Sequence, residues 1–283
     1  MKKSTILLIA FALGLFGSAL RAAETESLAE RTLKQLEERQ TELLAAAEKA
    51  DEKFDESSFQ SQLEQVCRGY EELLRSNPNY APGYEAYGFL LKKVDMRKAA
   101  IAMLLKANQL DPNRPLVKNQ IGNYIAEEGR PLDALPYFMA AIKLTPKEPL
   151  YHYALGTLLF EARDDFLKAG EWKQEAIDHA IHEAFRQAAE LAPDDIKYTY
   201  RYADSFKDMN PPDWEGALAE WTRLEKKSTS DFDRQVMRLQ IANVYLHQGK
   251  RDLAREELAT VTEPKLDQQK QKLVAQLAKP AEK

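Results

Sequence analysis

Apolar side chains in the middle of the chain come in blocks spaced three and four residues apart: Tyr84, Tyr87 and Leu91, then Ala100, Leu104 and Ala107. Each block predicts an amphipathic helix of about a dozen residues, and two successive blocks predict a helical hairpin. The double block returns after Pro115 as Ile121, Gly122 and Ile125, then Ala134, Phe138 and Ala141. Pro78, Pro112 and Pro146 stand 34 residues apart, and so do Gly88, Gly122 and Gly156. Two markers on one period identify an internal repeat. The glycine of each first helix has no Cβ where the second helix must approach, and the alanines thin the other side of that contact. Asp111-Pro112 and Thr145-Pro146 end the second helices, because a residue before proline is pushed out of helical geometry. One hairpin buries a single face, so neighbouring hairpins must stack.

The pattern divides the chain into units near 57–80, 81–114, 115–148, 149–195, 196–230 and 231–262. The fourth starts normally at Tyr151, Leu155, Gly156 and Leu159, but Pro193 arrives 47 residues after Pro146, thirteen more than the period. Shared between two helices, the excess predicts a long hairpin protruding around 160–174; a short loop at 164–170 is the competing picture. Pro136, inside a predicted helix, predicts a late start or a slight kink. Residues 23–56 read as one long helix with Leu33, Leu36, Leu43, Ala47 and Phe54 on a rough heptad broken by Gln40, which suits either a cap or a short oligomerising coiled coil. Ser57 to Gln60 fits a capping box for the next helix. Residues 263–279 predict a C-terminal capping helix, and 280–283 a loose tail.

Residues 81 to 262 carry a resemblance to the tetratricopeptide repeat (TPR) family, through Tyr84, Gly88, Ala100, Ala107 and Pro112 and their counterparts one period on. The resemblance implies an all-α, right-handed α-solenoid used as a protein-interaction scaffold, without an activity. Some members hold chaperone tails in a two-carboxylate clamp. Asn123, Lys197 and Arg201 match three of its places, but Asn119 replaces the first Lys and Ala154 the middle Asn, so that specificity is not carried over. The architecture also resembles exported envelope adaptors.

Lys2 and Lys3 precede an apolar run from Ile6 to Phe16 and small residues to Ala23, the layout of a secretory signal peptide over 1–22. Cleavage after Ala19 or Ala22 fits equally; an uncleaved anchor is the alternative, although the run is shorter than a spanning helix needs. The expected location is periplasmic or secreted. Of 283 residues, 44% are hydrophobic, enough for a substantial core. The net charge of −5, falling to −8 without residues 1–22, offers no footprint for nucleic acid, and no membrane insertion is expected after cleavage. The single Cys67 reads as a small buried hydrophobe, with an intermolecular disulfide as the alternative.

No phosphate loop, nucleophile elbow or supported Cys-His pair occurs, so neither an enzyme nor a cofactor is expected. His179 and His182, three apart on one helix, make a metal-binding face imaginable but match no standard ligand spacing. Groove binding has better candidates. Positions five, nine and twelve of the first helices include Phe89, Lys92, Asn119, Asn123, Tyr153, Thr157, Tyr200 and Asn243, with Arg201 beside them. Amides pair with both a donor and an acceptor of a peptide backbone, and aromatics offer rigid contact area. Lys197 and Arg201 predict a local positive spot. The partner expected is a protein or peptide segment in envelope assembly or maintenance, with a homo-oligomeric scaffold through the N-terminal helix, or a metal-binding protein or enzyme using His179 and His182, as alternatives.

Overall fold

The computed structural model describes residues 27–49, 55–170 and 172–278, so the signal-like segment, Phe54 and the last five residues lie outside it. The chain divides into two compact units, one ending at Met96 and the other beginning at Arg97. Among the described residues every regular element is a helix.

The first unit holds α1 (Leu28–Glu48), α2 (Glu56–Ser76) and α3 (Ala81–Lys93). Ser27 and Glu30 close a reciprocal capping box that fixes the start of α1. The helix expected over 23–56 therefore begins at Leu28 and stops at Glu48, capped by Lys49. Its heptad seam faces α2. Leu33 and Leu43 are buried, and the Leu36 side chain fills the place where a Cβ on Gly69 would sit. Gln40, the polar break in the heptad, accepts a 2.8 Å hydrogen bond from the Tyr70 hydroxyl. That seam packs on α2 within the first unit. Asp55, two residues earlier than the expected Ser57, caps α2 through the Ser58 amide. Cys67 is half-buried, and burial pushes its thiol up.

The second unit runs α4 (Arg97–Leu110), α5 (Pro115–Glu127), α6 (Pro131–Leu144), α7 (Pro149–Glu161), α8 (Arg163–Ala169), α9 (Gln174–Leu191), α10 (Ile196–Ser205), α11 (Trp214–Lys227), α12 (Asp231–His247), α13 (Arg251–Ala259) and α14 (Asp267–Ala278). Packing follows chain order: α4 on α5, α5 on α6, α6 on α7, α7 on α9, and onward to α13, with the first helices α5 and α7 also touching. This is a stack of hairpins. Prolines at the first position of α5, α6 and α7 start each helix with φ already set and lose no internal donor.

Three turns that follow a first helix carry a residue with positive φ. Asp95 (59°) and Gly129 (75°) are 34 residues apart, and Gly249 (72°) serves α12 and α13. In each case the next amide bonds back five residues: Met96 to Leu91, Arg130 to Ile125, Lys250 to Tyr245. One period after Gly129 stands Arg163, for which this geometry is costly, and the chain continues as helix until Gly170 (φ 79°).

The extra residues therefore form α8, which corrects both the long protruding hairpin and the short loop. Phe166 holds α8 down, 1% exposed among Phe138, Leu159 and Ile177, with the Trp172 ring edge-on at 6.1 Å. Arg163 pairs with the buried Asp178 carboxylate at 3.2 Å, and Gln174 donates to the same carboxylate. Pro136 lies inside α6, which starts on time at Pro131; the residue is exposed, so water can reach the carbonyl left without a partner.

Close approach sets the core. A Cβ on Gly122 would stand 2.9 Å from the Phe138 ring, and one on Gly156 2.8 Å from Phe185. Both rings are essentially fully buried, each worth about 1.5–3 kcal/mol of transfer free energy. Trp221, Met237 and Ile241 continue the core into α11 and α12, and Leu239, Leu258 and Leu266 into the C-terminal end. Leu273 and Leu277 of α14 pack partly on that end while its other face is polar, as a terminal cap requires. No described helix is long and apolar enough to cross a membrane.

Gly156→Leu should lower the unfolding free energy in urea by about 1–3 kcal/mol through overpacking against Phe185. Pairing Gly156→Ala with Phe185→Leu should be less harmful than the sum of the two single changes. An unchanged Gly156→Leu midpoint would contradict the packing account.

Candidate functional site

Helices α5 and α7 carry the same face toward a cleft of about 510 Å³ in the second unit. Its floor includes Phe138 and Leu158, and its walls Asn119, Asn123, Tyr153 and Thr157. Four residues expected from the repeat register thus meet in one cavity of the size that takes small ligands or short peptide segments.

Asn119 is the unusual member. It is 1% exposed, and neither its amide nitrogen nor its carbonyl oxygen has a hydrogen-bond partner. Leaving a buried polar group unsatisfied costs about 1–3 kcal/mol. The neighbouring inward positions of α5 are Val117, Ile121 and Gly122, so an apolar residue at 119 would suit the packing better. Thr157 donates its hydroxyl to the Tyr153 carbonyl at 2.9 Å, which turns the oxygen's lone pairs outward as an acceptor. The Tyr153 ring is fixed edge-on by Phe185 at 5.7 Å and Tyr198 at 5.3 Å. The Lys197 ammonium stands 4.3 Å from its centroid, at the end where α7 begins.

The opposite end is acidic. Glu127 closes α5, Glu161 closes α7 and Asp165 follows on α8, all on the rim. Glu127 is paired with Arg97. These carboxylates were missed by a register that stopped at position twelve; Glu127 and Glu161 occupy position thirteen, 34 residues apart.

The other expected residues lie elsewhere. Phe89 and Lys92 are on α3, in the first unit. Tyr200 packs edge-on against Trp221 at 4.7 Å, and its hydroxyl accepts from Gln240 at 2.7 Å; burial raises its pKa. Asn243 is half-buried on α12. The Arg201 guanidinium lies between the Phe160 and Phe185 rings, 4.4 and 4.1 Å from their centroids, and pairs with Asp208 at 3.0 Å and Asp204 at 3.7 Å. Arg201 thus ties α10 to the core, and the expected positive spot comes down to Lys197.

His182 is likewise engaged. Its Nδ1 is 2.9 Å from the Ser205 hydroxyl and its ring packs on Tyr202 and Phe206, 5.1 and 4.5 Å between centroids. His179 is exposed on the same helix, and no group of three metal-ligating side chains occurs among the described residues. The pair is not arranged as the metal face that the sequence made imaginable.

No family model and no curated protein matches the chain. Solved structures do. The chain is similar to YrrB, described as a TPR protein with an unusual peptide-binding site, at 18% identity and TM-score 0.55 over 70% of this chain and 91% of that one. It is similar to PilF of Pseudomonas aeruginosa at 14% identity and TM-score 0.59, covering 87% and 98%. A MamA fragment of Desulfovibrio magneticus matches at 18% identity and TM-score 0.50, covering 70% and 98%. At these identities the likeness establishes the fold: stacked helical hairpins of the TPR type.

Asn119→Leu should raise stability by about 1 kcal/mol, because it replaces an orphaned amide with an apolar group of similar volume. A loss measured in urea would show that the amide is satisfied. Burial holds the His182 pKa below its usual value, despite the opposing Glu183 and Asp213 carboxylates and with His179 and Arg186 adding to the lowering. The unfolded chain therefore binds the proton more readily, and stability should fall as pH drops below about 6.5. His182→Gln should shrink that fall between pH 7.5 and 5.5; identical pH profiles would contradict it.

Proposed function

We propose that the chain is an exported, non-catalytic adaptor whose α5–α7 cleft binds an extended protein segment, in assembly or maintenance of the cell envelope. The observation that carries this reading is the buried Asn119 amide, without partners on the wall of the cleft. A carboxamide offers one acceptor and two donors, which complement the carbonyl and N–H of a peptide backbone whatever its side chains. Asn123 stands one helical turn further along the same wall, and Tyr153 and Thr157 supply the opposite one. A bound main chain would satisfy the groups that the free protein leaves unsatisfied.

The lining suits a main chain: the Thr157 hydroxyl, engaged as a donor with the Tyr153 carbonyl, is left as an acceptor. The pattern of Lys2, Lys3 and the apolar run to Phe16 supports export, and the envelope role rests on that address.

Immobilised wild-type protein should retain a defined set of proteins from the host envelope fraction. Asn119→Leu combined with Tyr153→Ala should lose that set, while Phe232→Ala, an exposed change on α12, should keep it. The same set retained by all three would overturn the assignment of the cleft. Mass spectrometry of the protein from its host should find an N-terminus near residues 20 to 23; an intact residue 1 would overturn cleavage.

A further inference from the structure

The cleft is charged unequally along its length, and that asymmetry selects a ligand. Asn119 and Glu127 are eight residues apart on α5, so the walls run about 12 Å from the amide to the acidic rim. That distance spans roughly four residues of extended chain. Glu127 and Glu161 are the last residues of parallel-running first helices, where the backbone carbonyls already place partial negative charge. A carboxylate there works against the helix dipole, a cost that a cation would remove.

For Glu127 that cation is Arg97. Glu161 and Asp165, four residues apart and both exposed, make no ion pair among the described residues. The nearest arginine in sequence, Arg163, is turned away to Asp178. At the other end Lys197 stands on the Tyr153 ring, where it repels a second positive charge.

Resting on the cleft being a peptide site, we propose that its ligand is an extended segment with a Lys or Arg side chain at one end, seated between Glu161 and Asp165. Asn119 holds the main chain, and Lys197 excludes basic residues from the opposite end. The two ends together fix the direction in which the segment lies. Glu161 and Asp165 are exposed, so they set preference among segments more than total affinity.

The test uses labelled hexapeptides of small neutral residues carrying no Arg, a single Arg at each successive position, or Arg at both ends, followed by fluorescence anisotropy at low salt. Wild-type protein should bind peptides with one terminal Arg about tenfold more tightly than neutral ones. Glu161→Gln with Asp165→Asn should abolish that difference and leave neutral peptides unaffected, and Lys197→Gln should improve binding of the doubly basic peptide. Both changed acids are exposed, so folding is retained and a thermal melt verifies it. Equal binding of neutral and basic peptides, or an unchanged preference in the double variant, would overturn this inference while leaving the cleft a peptide site. Binding of no peptide by wild-type protein would also overturn it, and capture from the envelope fraction would then decide the broader function separately.

Discussion

A hairpin of these helices covers one side of itself, and the second side stays apolar until the next hairpin closes on it. That requirement governs the second unit. The buried rings of Phe138 and Phe185 press against Gly122 and Gly156, and the helices stand as close as a missing Cβ allows. Because α5 and α7 repeat the same approach one period apart, they run side by side and leave a cleft between their remaining faces. The site follows from the spacing: two copies of one helix, set at a fixed distance, bring positions five, nine and thirteen of each into one cavity.

Closure of the hairpins is a second constraint, and its failure at one place makes the most distinctive local feature. Asp95 and Gly129 turn the chain with positive φ one period apart. Arg163 falls where the third such residue is due, so helix persists through α8, and the turn waits for Gly170. Phe166 then adds to the core, and Asp165 is delivered to the rim of the cleft. An insertion that reads as a protrusion is instead a wall of the site.

The sequence made the repeat legible because its period is written in residues with strong steric meaning: prolines that start and end helices, and glycines at contacts. Asn119, Asn123, Tyr153 and Thr157 came together because a helical register alone places them on one face. What stayed hidden depends on contacts between distant residues. Arg201 read as an open positive group, since nothing local reveals that Phe160, Phe185 and Asp208 enclose it. Gln40 read as a flaw in a coiled coil, since its partner Tyr70 lies thirty residues on. The fate of the thirteen extra residues turned on whether Phe166 found a buried seat, which hydrophobic spacing over seven residues does not determine.

The central claim is that an amide kept buried without partners is there to meet a main chain. Its most direct measurement is the side-chain NH₂ signal of Asn119 in ¹⁵N-labelled protein, followed during titration with a peptide the protein retains. The account predicts that these two proton resonances move downfield together with those of Asn123, as hydrogen bonds form. Shifts confined to α10–α12, around Tyr200 and Asn243, with Asn119 unmoved at saturation, would contradict it.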